Sequence, residues 1–187
     1  LCLYQETGIE TELRIYYSEQ IPETFIANIM TRFRKRFRDV RLNWLQAPNS
    51  EILFYLNENK ADIALVIRPN GDVITSVDFT HLVSMSYSVC ASPAFIHKFR
   101  PTNLDSLKHL HQLTLVEYDH CDIAKSICPS NHLQKFTTLN VLLQTLVSGE
   151  GWAILPTHSV KGHLENNRLN IIPIQEVASD LTFPVII

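Results

Sequence analysis

The sequence has no excess of positive charge, few cysteines and no long apolar run, and each lack closes off a class of function. Lys and Arg number 16 against 19 Asp and Glu, a formal net charge of −3. A stand-alone nucleic-acid binder is expected to be basic, so this chain does not read as one. Four cysteines in 187 residues are too sparse for a disulfide scaffold. A reducing compartment, the cytoplasm, is expected. No stretch approaches the roughly 18 uninterrupted apolar residues of a membrane span, so no membrane partner is expected. Leu1 to Glu12 lacks the basic region that opens a signal peptide. Catalytic signatures are missing too. No nucleophile elbow occurs. Gly149-Glu150-Gly151 follows an apolar helical run and precedes a strand-like one, the reverse of a phosphate loop. Internal repeats and low-complexity segments are absent. Neither an enzyme nor a cofactor is expected.

What is present is a chain able to fold. Apolar residues make up 45% and charged residues 19%, which suits one domain or two small lobes. Leu13 to Tyr17 is a short strand signal rich in Ile and Tyr. Pro22 suits the first turn of a helix. Phe25, Ile26, Ile29, Met30 and Phe33 then recur at three and four, the helical period. Val40 to Leu45 alternates as a second strand. Asn49-Ser50 offers helix caps ahead of the apolar face Ile52, Leu53, Tyr55 and Leu56. Ala61 to Ile67 is a nearly continuous buried strand of the kind parallel sheets use. Strands alternating with helices predict an α/β fold with a parallel sheet. Pro69-Asn70-Gly71 closes this unit as a turn.

A second β/α lobe follows. Strands are predicted at His81 to Ala91, Leu113 to Glu117, Trp152 to Leu155, Leu169 to Ile174 and Thr182 to Ile187. Ser92-Pro93 breaks the first of these. Helices are predicted at Leu104 to Leu110, Leu139 to Ser148 and Ser159 to Glu165. Thr137 or Thr138 caps the second helix, and Gly149 to Gly151 closes it. Residues 1–11 read as the end of a linker, 12–83 as lobe I and 84–182 as lobe II. Residues 183–187 read as a strand returning towards lobe I. Two crossovers, near Val83 to Met85 and Leu181 to Val185, would make a hinged cleft. The one dense basic run, Arg32, Arg34, Lys35, Arg36 and Arg38, interleaves with Phe33 and Phe37. It reads as the solvated back of a helix whose Phe stripe is buried; the other reading is a phosphate-binding patch.

Five segments resemble the effector-binding domain of LysR-type transcriptional regulators. They are Glu12-Leu13-Arg14-Ile15 with Pro22; Phe37-Arg38-Asp39-Val40, where the family writes Phe-Pro-Asp-Val; Asp62-Ile63-Ala64-Leu65; Val89-Cys90-Ala91-Ser92-Pro93; and the run Leu146 to Pro156, close to Val-x-x-Gly-x-Gly-x-x-x-Leu-Pro. Arg38 departs from the pattern. The resemblance implies the type 2 periplasmic-binding-protein fold, two Rossmann-like lobes joined by two crossover strands. It also implies a small-molecule effector held in the interlobe cleft. The family's N-terminal winged helix-turn-helix, which would contact DNA, and the last helix of lobe I would lie outside this chain. Pairing of first lobes is the family habit, so a homodimer through the helix Thr24 to Arg36 is expected, and a tetramer at full length.

In open α/β sheets, ligands bind beyond the carboxyl ends of strands. Ser18, Glu19 and Gln20 follow the first strand, Asn49 and Ser50 the second, and Arg68 the third. Glu117, Tyr118 and Thr138 sit at the equivalent ends in lobe II. These are the candidate effector contacts, and family members commonly touch the effector at the loops matching Ser18 to Gln20 and Thr138. The plainer reading makes Ser50 and Thr138 simple caps and gives Arg68 a salt bridge on the rim. His120-Cys121 with Cys128 resembles the Cys pair of the peroxide-sensing OxyR branch, which implies a thiol switch; the plainer reading is packing. Zinc bound by His120, Cys121, Cys128 and His132 fits no standard ligand spacing, so no metal is expected. Two rivals share the fold: a solute-binding protein of a transporter and a binding-protein-like enzyme.

Overall fold

The computed structural model describes residues 12–67, 78–116, 118, 130–174 and 182–187. The chain divides into two compact units. Of the described residues, one unit holds 12–67, 78–83 and 185–187, and the other holds 84–116, 118, 130–174 and 182–184.

The first unit is built on β1 (Glu12–Ser18), α1 (Glu23–Arg36), β2 (Arg41–Ala47), α2 (Asn49–Asn57) and β3 (Ile63–Ile67). β1 runs parallel to β2 on one side, from Glu12 opposite Arg41 to Ser18 opposite Ala47. On its other side it runs parallel to β3, with Ile15 opposite Ile63 and Tyr17 opposite Leu65. The β-α-β-α-β order thus yields a parallel sheet, since each helix returns the chain to the same end. The end of β9 (Thr182–Ile186) adds antiparallel to β3, with Ile67 opposite Val185. Beyond it, Thr80 and Ile187 exchange both backbone bonds, at 2.8 and 3.0 Å.

Ile15, Ile52 and Leu65 are wholly buried, each contributing about 1.5–3 kcal/mol of burial. Ala47, Ile52, Ala64 and Val66 form a cluster covered by Tyr16, Tyr55 and Leu56. The amino ends of β1 and β3 are tied by charge. Arg14 Nη2 donates to Asp62 Oδ1 at 2.8 Å, and Arg14 Nε donates to Oδ2 at 3.0 Å. The backbones close the pair in both directions, Arg14 N–H to Asp62 Oδ2 and Asp62 N–H to Arg14 O. This double fork holds the Asp62 carboxyl below its ordinary range.

The expectation of a buried Phe stripe on α1 needs correction. Only Ile26 of that helix is buried. Phe33 is half-buried, its ring 5.8 Å from Trp44, and Phe37 is 37% exposed. The basic side chains of the run are all exposed, as expected.

The second unit carries most of β4 (His81–Ala91), then α3 (Pro93–Phe99), α4 (Leu104–Lys108), β5 (Gln112–Leu115), β6 (Leu133–Phe136), α5 (Leu139–Val147), β7 (Trp152–Pro156), α6 (Thr157–Glu165) and β8 (Asn170–Ile171). Its strands lie in the order β4, β7, β5, β6. β7 is parallel to β5 and antiparallel to β4. All five residues of β7 are buried, which is why Trp-Ala-Ile-Leu-Pro reads as an unbroken apolar run. α5 lays Leu139, Leu142, Leu143 and Leu146 inwards, the spacing of a single helical face.

The two glycines after α5 have separate reasons. Gly149 takes φ +90°, where a side chain is strained. A Cβ on Gly151 would sit 2.7 Å from the His111 carbonyl oxygen, so that position admits no side chain without a shift of backbone. Two expectations shift here. The strand predicted at Leu169 to Ile174 shortens to Asn170 and Ile171, with one more bond from Ile172 N–H to Val89 O at 2.8 Å, and Pro173 has no N–H to carry the ladder on. Pro93 both ends β4 and opens a helix absent from the sequence reading, α3, whose Phe95 N–H is capped by the Ser92 side chain.

Candidate functional site

The predicted carboxyl-edge residues of the first unit have unequal fates. Ser18 ends β1 wholly buried. Its carbonyl accepts from Ile21 N–H at 3.1 Å, and its Oγ accepts from Gln20 N–H at 3.4 Å. Ser18 therefore shapes the turn that leads into α1. Gln20 is buried and Glu19 half-buried. Arg68 and the turn at Pro69-Asn70-Gly71 lie outside the described residues, as does the Ser50 side chain.

Asn49 and Ser50 are not caps. Pro48 is the N-cap of α2, in an extended conformation of φ −56° and ψ 142°. Its carbonyl accepts from Glu51 and Ile52 N–H at 3.0 and 3.2 Å. Asn49 is the first helical residue, and its carboxamide reaches β3. Nδ2 donates to Ile67 O at 2.8 Å, and Oδ1 accepts from Ile67 N–H at 2.9 Å. The side chain thus imitates a neighbouring strand at the end of β3, satisfying two backbone groups of a buried residue. Sequence reasoning missed this role, because the partner lies 18 residues away and no local pattern announces it.

α1 opens the same way as α2. Pro22 is its N-cap, with φ −55° and ψ 128°, and no side chain caps it. The sequence reading had Pro22 inside the first turn; it stands one step earlier. Both helices therefore present first-turn amides without side-chain caps at the carboxyl edge of a parallel sheet. That end carries the positive pole of the helix dipole. Glu23 and Glu51 stand in the two first turns and offset part of that field. Glu51 accepts from the Tyr55 hydroxyl at 2.6 Å, and this bond pushes the Tyr55 phenol above its ordinary range.

In the second unit, Thr138 is the N-cap of α5, in extended conformation, but its hydroxyl makes no cap bond. It is exposed. Its carbonyl accepts from Leu142 N–H at 3.3 Å. The capping predicted for Thr138 is thus done by backbone alone. α6 also starts uncapped, on Pro156, and there the Thr157 and Ser88 hydroxyls meet at 2.8 Å. That pair was not foreseen. Tyr118 is buried. Glu117, His120, Cys121 and Cys128 lie outside the described residues. The described cysteine, Cys90, is buried, and burial pushes its thiol up to about 12. Among the described residues, no group of three or more His, Cys, Asp or Glu is placed to hold a metal ion. Nor is any described helix long and apolar enough to cross a membrane.

A parallel sheet flanked by helices, a second β/α unit and uncapped helix starts at strand ends define a class: the type 2 periplasmic-binding-protein-like fold. Solved structures share it. The regulatory domain of CrgA, a LysR-type transcriptional regulator from Neisseria meningitidis, superposes with TM-score 0.67 at 20% identity, covering 95% of this chain and 88% of that one. The MetR regulatory domain, also from N. meningitidis, gives 0.69 at 18% identity over 94% and 82%. The reduced regulatory domain of OxyR2 from Vibrio vulnificus gives 0.69 at 16% over 95% and 85%. No curated protein matches the sequence. The family model for the LysR substrate-binding domain matches residues 6–186, and the chain belongs to that family.

Proposed function

We propose that this chain is the sensing part of a LysR-type transcriptional regulator, that it binds a small polar effector and that it catalyses no reaction. The first unit's share of the contacts falls at the carboxyl ends of β1 and β2, and the second unit's share at Thr138. The observation that carries this is where side-chain caps are missing. α5 and α6 start at the carboxyl end of the parallel strands β5, β6 and β7 without a side-chain cap, as α1 and α2 do in the first unit. α3 follows the antiparallel β4, starts at the opposite edge, and is capped by Ser92. First-turn amides that no N-cap side chain covers, all at one edge, suit a ligand's acceptor groups.

Effector binding biases one arrangement of the chain over another, and through it the DNA-binding region of the whole regulator. Pairing of two copies through the exposed face of α1 (Glu23–Arg36) transmits that change, and the regulator works in the cytoplasm. A thermal-shift screen of small organic acids tests the reading. At least one acid stabilises the chain, and Thr138→Ala reduces that shift. If no acid does so, or if Thr138→Ala leaves the shift intact, the site is elsewhere. The rival reading, a thiol switch at Cys121 and Cys128, rests on sequence resemblance. It requires free thiols to disappear on stoichiometric peroxide.

A further inference from the structure

We propose that His111 and His132 form a two-histidine site for a borderline divalent transition metal ion of the Zn²⁺, Ni²⁺ or Cu²⁺ class. The site does not depend on the sensing function. The two residues immediately precede β5 and β6, which pair in parallel from Gln112 opposite Leu133. The sheet register therefore sets them side by side. Both are exposed, and their ring centroids are 5.5 Å apart with planes at 48°.

That spacing suits a shared ion. An imidazole nitrogen lies about 2 Å from a zinc-class ion. The ring centre is about 1 Å further, so each centre stands about 3 Å from the metal. A tetrahedral angle then separates two ring centres by about 5 Å. The pair is already close to the spacing that coordination requires.

The backbone under the rings is held by hydrogen bonds, which sets the spacing from which both side chains project. His132 O accepts from Gln112 N–H at 2.9 Å, and His111 O accepts from Trp152 N–H at 3.0 Å. His132 N–H donates to Ser130 Oγ at 3.0 Å, and Ser130 N–H donates to Gln112 Oε1 at 2.9 Å. Gln112 and Ser130 are both buried. The buried Gln112 amide thus anchors the segment that carries His132 to the strand that follows His111. With two protein ligands, water would complete the ion's shell, and Cu²⁺ should bind more tightly than Zn²⁺.

Calorimetric titration of zinc chloride into the 187-residue chain tests this, with copper EPR as a second readout. Saturable uptake of one ion is expected, with nitrogen hyperfine structure in the copper spectrum. His111→Ala and His132→Ala should each weaken binding by at least about tenfold, since losing even an outer-shell partner costs that much. Both positions are exposed, so the folded state should survive, as circular dichroism would confirm. His109→Ala and the double variant Cys121→Ser/Cys128→Ser should bind as the parent does. The proposal is overturned by a lack of saturable uptake at submillimolar zinc. It is equally overturned if uptake is unchanged in either His111→Ala or His132→Ala, or is lost in the cysteine double variant.

Discussion

α3 and α5 belong to the same unit and are of similar length, yet they begin in opposite ways. α3 starts at Ser92, whose buried Oγ accepts from Phe95 N–H at 3.2 Å. α5 starts at Thr138, whose exposed hydroxyl takes no part. Both residues are good N-caps by type. The difference follows the sheet: β4 runs against its neighbour, so α3 and α5 open at opposite edges. A capped helix start is finished within the fold. An uncapped one at the strands' carboxyl edge leaves its first turn uncovered by a side chain of its own N-cap. The contrast teaches that a Thr at an N-cap position does not by itself say whether it caps.

Four substitutions or conditions break or sharpen that contrast. The largest effect is expected at Asn49, where the fold spends a side chain on the site's own frame. Asn49→Ala strands the N–H and C=O of Ile67 and should cost about 1–3 kcal/mol, read as a lower urea midpoint at unchanged slope. Ser92→Ala removes a buried cap and should cost about 1–2 kcal/mol in the same measurement. Thr138→Ala should lie within about 0.5 kcal/mol of the parent, because no cap bond is lost. It should nonetheless weaken effector binding about tenfold; a stability loss equal to that of Ser92→Ala would erase the distinction. The smallest effect concerns acid. The Asp62 carboxyl is lowered in the folded chain by Arg14. The pair's contribution is therefore present above the unfolded carboxylate range and lost as pH falls through the lower, folded value. Stability measured at pH 3 and pH 5 should differ less in Asp62→Asn than in the parent. As the pair is partly exposed, the difference is small.

Much of the fold was legible because it depends on short-range pattern. The β1-α1-β2-α2-β3 order shows in alternating strand and helix periods, and Leu139 to Leu146 states its own buried face. α3 was missed because Pro93 was read only as a breaker, although Ser-Pro followed by Phe95 and Phe99 also opens a helix. The candidate site was less legible, because the roles of its side chains depend on how the chain turns and pairs around them. Ser18 looks like an open polar residue in the sequence but turns inward to its own loop. Asn49 looks like a cap but is held by Ile67. Phe37 looks like core, yet the helix ends beneath it and leaves it exposed. For Asn49 the deciding contact is set by which strands become neighbours, and a local window does not contain that; for Ser18 the partner is only two residues away, but residue type alone does not say that the side chain turns to it.

Cys90 has a use that has nothing to do with ligand. It sits on β4 with its Sγ 3.7 Å from the Ala153 carbonyl, sealed from water and with a thiol that resists ionising. A reagent that needs a thiolate finds nothing to attack until β4 and β7 part. In a variant with Cys2, Cys121 and Cys128 changed to Ser, the chain would carry its own clock. The rate at which a thiol reagent labels Cys90 would then report how often the second unit opens.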